Sequence, residues 1–170
     1  MAPDEHLALL VADGDEEALR ELLRRYQQPL SAFLYRQTGG ADVDDLYQET
    51  WLRVVRHARR FDARRRFSTW IFQIAVNLCR DWHRRRTPPA GEIEDDRADP
   101  HGVAPIEAAH DATVLLATLP ESQREVMILR FYHDLAEEEI AAILDCPRGT
   151  GKSRLHNALS RLSATMEKIE

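Results

Sequence analysis

Apolar side chains in this chain recur every three or four residues and nowhere alternate at the two-residue period of a strand, so the sequence is confined to helices packed on helices. Leu19, Leu22, Leu23 and Tyr26 form one stripe, continued by Leu30, Phe33 and Leu34 beyond Pro29. Asp13 or Asp15 is placed to cap this segment, Gly39-Gly40 to end it, and Pro29 to kink or split it. A second segment, ADVDDLYQETWLRVVRHARRF, carries Val43, Leu46, Tyr47, Thr50 and Val54 at helical spacing. Its first turn is acidic and its last turn basic, the order that a helix dipole favours. A third, FSTWIFQIAVNLCRDWHRRR, offers Ser68 or Thr69 as cap and Trp70, Ile71, Ile74, Leu78 and Trp82 as apolar contacts.

The periodicity then stops. TPPAGEIEDDRADPHGVAP is rich in Pro, Gly and acid and reads as an extended, self-repelling linker. Beyond it AAHDATVLLATL, PESQREVMILRFY, AEEEIAAIL and GTGKSRLHNALSRLSATM predict four short-linked helices. The expected fold is all-α, with two helical lobes (1–86 and 106–170) joined by a flexible acidic linker (87–105).

A net charge of -6 argues against a nucleic-acid partner until its distribution is read. Arg53 to Arg86 holds eleven arginines and only two acids, whereas Thr87 to Asp111 holds seven acids and one arginine. Phosphate binding depends on local potential, so the basic stretch is a candidate nucleic-acid surface; a solvated helical face has the same composition. No apolar run is long enough for a membrane span, and the acidic start lacks the basic region of a signal peptide. Cys79 and Cys146 are too few for a disulfide framework. These features predict a cytoplasmic protein without membrane insertion. Cys79 and His83 fall four apart on one helix, but structural zinc needs four ligands, so no metal or other cofactor is expected. No grouping of residues supports catalysis, and the chain is read as a non-enzyme.

Gly151-Lys152-Ser153 resembles the end of a phosphate-binding loop. Such a loop needs a glycine five positions earlier and a strand leading into it. Position 146 is cysteine, and the preceding AEEEIAAILD is helical in pattern. A better reading is a helix-turn-helix: a helix from Glu137 to Leu144, the turn DCPRG, and a second helix from about Thr150. Ile140, Ile143 and Leu144 would face inward, and Pro147 precedes the second helix, where its missing N–H costs little. That helix opens with Arg148, Lys152, Ser153, Arg154, His156 and Asn157, groups able to reach phosphates and base edges in a major groove. Leu155, Leu159 and Leu162 would anchor its opposite face. A purely structural helical hairpin or a stand-alone DNA-binding regulator fits the same stretch.

DVDDLYQETWLRVV, FSTWIFQIAVNLCRDWHRRR and LPESQREVMILRFYHDLAEEEIAAIL…GTGKSRLHNAL, in this order and spacing, resemble a bacterial RNA polymerase sigma factor of the extracytoplasmic-function group. The resemblance implies a region 2-like first lobe and a region 4-like second lobe. Its implied partners are core RNA polymerase, through the β′ and β subunits, promoter DNA and an anti-sigma factor. It makes Asp45, Leu46, Gln48 and Glu49 candidates for docking on polymerase. It makes Asn77 a −10 base contact and Arg80 and Arg84 backbone contacts. In the second lobe it implies −35 contacts from Arg148, Lys152, Ser153, Arg154, His156 and Asn157. Three residues depart from the family pattern: Ala136 where a hydroxyl residue often caps (Asp134 is the alternative), Gly151 within the recognition helix, and Asn157 where a basic residue is common. These bear on −35 preference rather than on the fold.

Overall fold

A computed structural model describes residues 1–87 and 112–169, all helices and turns. The linker beyond Thr87 and the expected start of the second lobe lie outside the described residues. The first lobe comprises α1 (Asp4–Ala12), α2 (Glu16–Thr38), α3 (Val43–His57), a single 3-10 turn (Ala58–Arg60) and α4 (Phe67–Arg86). The second comprises α5 (Ala112–Ala117), α6 (Glu121–Phe131), α7 (Glu137–Leu144) and α8 (Arg148–Ile169).

Asp15 starts α2 by accepting a 3.0 Å bond from the Ala18 amide, and Gly39 ends it in the left-handed conformation (φ 67°) that a side chain would resist. Pro29 does not split this helix. Leu22, Tyr26, Leu30, Phe33 and Leu34 are buried on both sides of it, and their packing outweighs the single lost backbone bond. The short α1 clamps the lobe. Asp4 accepts bonds from Arg25 and the Tyr26 hydroxyl, both at 2.6 Å. Burial and this carboxylate push the Tyr26 phenol above its ordinary range. Neither Ser68 nor Thr69 caps α4, which begins at Phe67; Glu5 from α1 accepts the Phe67 amide at 3.0 Å instead. Tyr26, Phe61, Phe67 and Trp70 form a chain of ring contacts with centroids 5.0–5.9 Å apart.

In the second lobe, α7, a turn through left-handed Asp145 and α8 form the helix-turn-helix. Ile140, Ile143 and Leu144 are buried as expected, and α8 starts at Arg148, two residues before the expected Thr150. Asp134 does not cap α7: its backbone is left-handed (φ 50°), and Glu139 reaches back to accept the Ala136 amide at 3.0 Å. This is the carboxylate half of a capping box; with alanine at position 136 no side chain accepts the Glu139 amide.

The lobes meet along a seam of hydrogen bonds, ion pairs and ring contacts. Arg124 of α6 is buried, donating to the carbonyls of Leu116 (3.1 Å), Leu119 (3.0 Å) and, across the seam, Gln37 (3.1 Å). Arg80 forms a bidentate pair with Glu125 at 2.8 and 2.9 Å, and Arg66 pairs with Glu139. The His133 ring lies against Phe33 and Phe72 of the first lobe, with centroids 6.0 and 4.9 Å away.

Candidate functional site

The acidic start of α3 leads into an exposed stripe. Asp45 and Gln48 are exposed, and Glu49, half-buried, accepts a bond from Arg53 at 2.9 Å. Leu46 is not on this surface: it is 5% exposed, packed in the core with Thr50, Trp51 and Val54. Sequence reasoning missed Leu52 and Val55, which are 55% and 48% exposed. Helical spacing puts them on the stripe of Asp45 and Gln48. The signal was present, because α3 has apolar residues outside the face set by Leu46, Thr50 and Val54. At the N-terminus of α3, Asp42 accepts bonds from Trp82 Nε1 (2.8 Å) and Arg86 (2.6 Å), and these hold its carboxyl below the usual range. The Arg86 guanidinium also lies over the Trp82 ring, 4.2 Å from its centroid.

The three α4 candidates do not share one surface. Asn77 is exposed in an open groove lined by Arg53, His57, Arg60, Trp70 and Ile74. Cations, a half-buried indole and an amide are the groups that capture a single strand: the first take phosphates, the others unstacked bases. Arg53, His57 and Arg60 come from the preceding helix and turn, and were not singled out from sequence. Arg80 and Arg84 line a separate cavity with Glu121, Glu125 and Arg154 of the second lobe. There Arg84 also pairs with Asp81. Burial raises the carboxyl of Glu121 to about 7, and it also raises that of Glu125, against the pull of Arg80. In the loop before α4, Asp62 binds the backbone and guanidinium of Arg64, which draw its carboxyl down to about 2.

On α8, Lys152, Ser153, His156 and Asn157 are exposed near the helix start. Arg148 is exposed beside them but ion-paired, and Arg154 is set back from them. Arg148 turns to α7 and pairs with Glu137 (3.4 Å) and Glu138 (2.8 Å), while Arg154 is half-buried and lines the seam cavity. Leu155 and Leu162 are half-buried, but Leu159 is 46% exposed and anchors little.

Residues 22–88 match the family model for sigma-70 region 2, and residues 110–162 match that for sigma-70 region 4. The ECF RNA polymerase sigma-E factor of Salmonella typhimurium is 32% identical, over 91% of this chain and 90% of its own. The chain belongs to the ECF RNA polymerase sigma factors. Another relative, ECF RNA polymerase sigma factor SigW of Bacillus subtilis, is 28% identical over 89% of this sigma factor and 90% of itself. Among solved structures, CnrH in complex with the cytosolic domain of CnrY has a TM-score of 0.76 at 27% identity, covering 97% of each chain. The Bartonella quintana sigma factor RpoE, solved with the anti-sigma factor NepR, shares the fold at TM-score 0.69 and 24% identity, covering 88% of this chain and 96% of that one.

This sigma factor acts in promoter-directed transcription initiation, and its relatives are transcription regulators rather than enzymes. Gly151-Lys152-Ser153 lies within α8 and follows the helix α7, so no strand leads into it as a phosphate-binding loop requires. Cys79 is buried, which raises its thiol above the ordinary range, and His83 Nε2 lies 3.0 Å from the Gln37 carbonyl oxygen. Among the described residues no group of three or more His, Cys, Asp or Glu could hold a metal ion, and no helix is long and apolar enough to cross a membrane.

Proposed function

We propose that this sigma factor docks on core RNA polymerase through the exposed stripe of α3, with Asp45, Gln48 and Glu49 as polar contacts and Leu52 and Val55 as apolar ones. The observation that carries this reading is the pair of large apolar side chains standing in solvent beside carboxylates on one helix. A mixed stripe of this kind suits a helical partner that is basic at one end and apolar along its length, the chemistry sought in the polymerase β′ subunit. The Asn77 groove takes unpaired −10 bases, with Trp70 as the stacking surface, Ile74 as an apolar contact beside it, and Arg53, His57 and Arg60 on the strand's phosphates. Arg80 and Arg84 extend that backbone grip. Ser153, His156 and Asn157 meet −35 base edges, while Lys152 meets phosphate.

An anti-sigma factor holds the protein in check, a reading supported by the anti-sigma factor NepR solved with the Bartonella quintana RpoE of the same fold. The setting is the cytoplasm, where core polymerase is found. Competition for core polymerase tests the docking stripe. Leu52→Asp combined with Val55→Asp should weaken assembly by roughly 30-fold or more, the effect of losing an interface anchor, while the helical signal is kept. A well-folded double variant that competes as the native chain does would remove α3 from the interface.

A further inference from the structure

The first turn of α4 is held by a helix that takes no part in the Asn77 groove. Its N-terminus has no side-chain cap of its own, and residues 63–69 hold three arginines and no carboxylate. The acceptor comes instead from α1, 62 residues away in sequence, where half-buried Glu5 takes the Phe67 amide at 3.0 Å. Its neighbour Asp4 grips α2, accepting from Arg25 and the Tyr26 hydroxyl at 2.6 Å. The Tyr26 ring meets Phe67 edge-on, and Phe67 and Phe61 both meet Trp70, whose indole lines the groove. The Trp70 amide bonds back to the Arg66 carbonyl at 3.3 Å, so this residue closes the turn that Glu5 starts. Two adjacent acids of a nine-residue helix thus tie α2 to the first turn of α4. α1 lies ahead of residues 22–88, the part that matches region 2.

We propose that Glu5 is a positioning residue for −10 capture: by holding the Phe67 amide it fixes the first turn of α4 and, through it, the stance of the Trp70 indole against an unpaired base. The inference rests on the proposed reading of the Asn77 groove as the −10 site. Helix ends fray because their first amides lack partners inside the helix, and a carboxylate on such an amide opposes the fraying. An unstacked base gains its contact only where the ring already stands in place. Molecules with a frayed first turn drop out of the competent population, and apparent affinity for the strand falls by that fraction. The polymerase-docking stripe lies on α3, outside this line of contacts, so Glu5 bears on promoter opening and not on assembly.

The test uses holoenzyme reconstituted from core polymerase and the full chain. Glu5→Ala removes the acceptor, Glu5→Asp withdraws it by one methylene, and Glu5→Gln keeps an acceptor oxygen at the same reach. Permanganate reactivity of the opened −10 strand should fall about fivefold or more in Glu5→Ala and Glu5→Asp and return to near native in Glu5→Gln. Competition for core polymerase should stay within about twofold of native in all three. A residue that served only the stability of the lobe would lower both readouts together. Native opening by Glu5→Ala and Glu5→Asp would therefore overturn the positioning role, and so would equal loss of opening and of core competition. Asn77→Ala in the same assay separates the two readings. If its opening is unchanged, the groove reading fails and the role of Glu5 with it. If opening falls in Asn77→Ala but not in Glu5→Ala, the role of Glu5 alone fails.

Discussion

Phe67 and Arg124 are both nearly sealed from solvent, one inside the first lobe and the other where the lobes meet. Phe67 is held by the rings of Tyr26, Phe61 and Trp70; Arg124 is held by carbonyls from both lobes. Nothing in water replaces the ring contacts, whereas water can replace the Gln37 carbonyl, the one of the three that belongs to the first lobe. The first lobe is thus held mainly by rings, whereas the seam combines hydrogen bonds and ion pairs with the His133 ring packed on Phe33 and Phe72. Both protein docking and single-strand capture are assigned to the first lobe. The −35 helix belongs to the second lobe.

The sharpest way to break this comparison is to empty the core of the first lobe. Phe67→Ala should destabilise the first lobe by about 3–5 kcal/mol, measured by denaturant unfolding. A loss below about 1 kcal/mol would mean that the ring cluster does not hold the lobe together. Arg124→Met should cost roughly 3 kcal/mol by leaving buried carbonyls without their donor. This loss should fall on lobe docking and the second lobe, and hydrogen exchange in α2 and α4 away from the seam should not change. Global loss of protection would make the two lobes one cooperative unit.

A smaller effect comes from two titratable groups of the second lobe. Burial holds His133 neutral, lowering its pKa from 6.5 to about 4, so its contribution is complete above pH 6.5 and lost as pH falls toward 4. Glu121 is raised from 4.5 to about 7, so its protonated form contributes below pH 4.5 and that contribution is lost as pH rises through 7. The two oppose each other over nearly the same range. Relative to the native chain, His133→Asn should therefore lose least at acidic pH and Glu121→Gln should lose least at neutral pH. The pH-dependent part should be on the order of 1–2 kcal/mol after solvent screening. Thermal melts across pH 4 to 7 that run parallel for all three proteins would show that neither shift is present. Smallest of all, Gly151→Ala should stabilise the second lobe by about 0.5–1 kcal/mol, because a Cβ there meets nothing within 4 Å and the backbone is helical. A destabilised variant would mean that α8 is not helical at this position in solution.

Periodicity revealed the helices and the buried stripe of α2, and the charge segregation pointed to the basic α4. What it could not reveal were relations between distant segments. Glu5 caps α4 in place of Ser68 or Thr69, and that needs α1 to lie beside Phe67. Leu46 satisfies both the core pattern and the docking pattern, and only burial decides between them. Arg80, Arg148 and Arg154 read as free cations because their carboxylate neighbours lie on other helices. Leu52 and Val55 were legible as apolar residues off the buried face, since exposed apolar pairs mark interaction surfaces.

The most direct test of the account is run-off transcription with purified core polymerase on genomic fragments. Native chain should drive initiation from discrete start sites sharing a −10 and a −35 element. With Asn77→Ala, polymerase should still bind these promoters, but permanganate reactivity of the opened strand should fall. Asn157→Arg should change which −35 bases are selected, because an amide pairs with adenine and a guanidinium with guanine. No initiation above that of core polymerase alone, from a chain that binds core, would contradict the account at its centre.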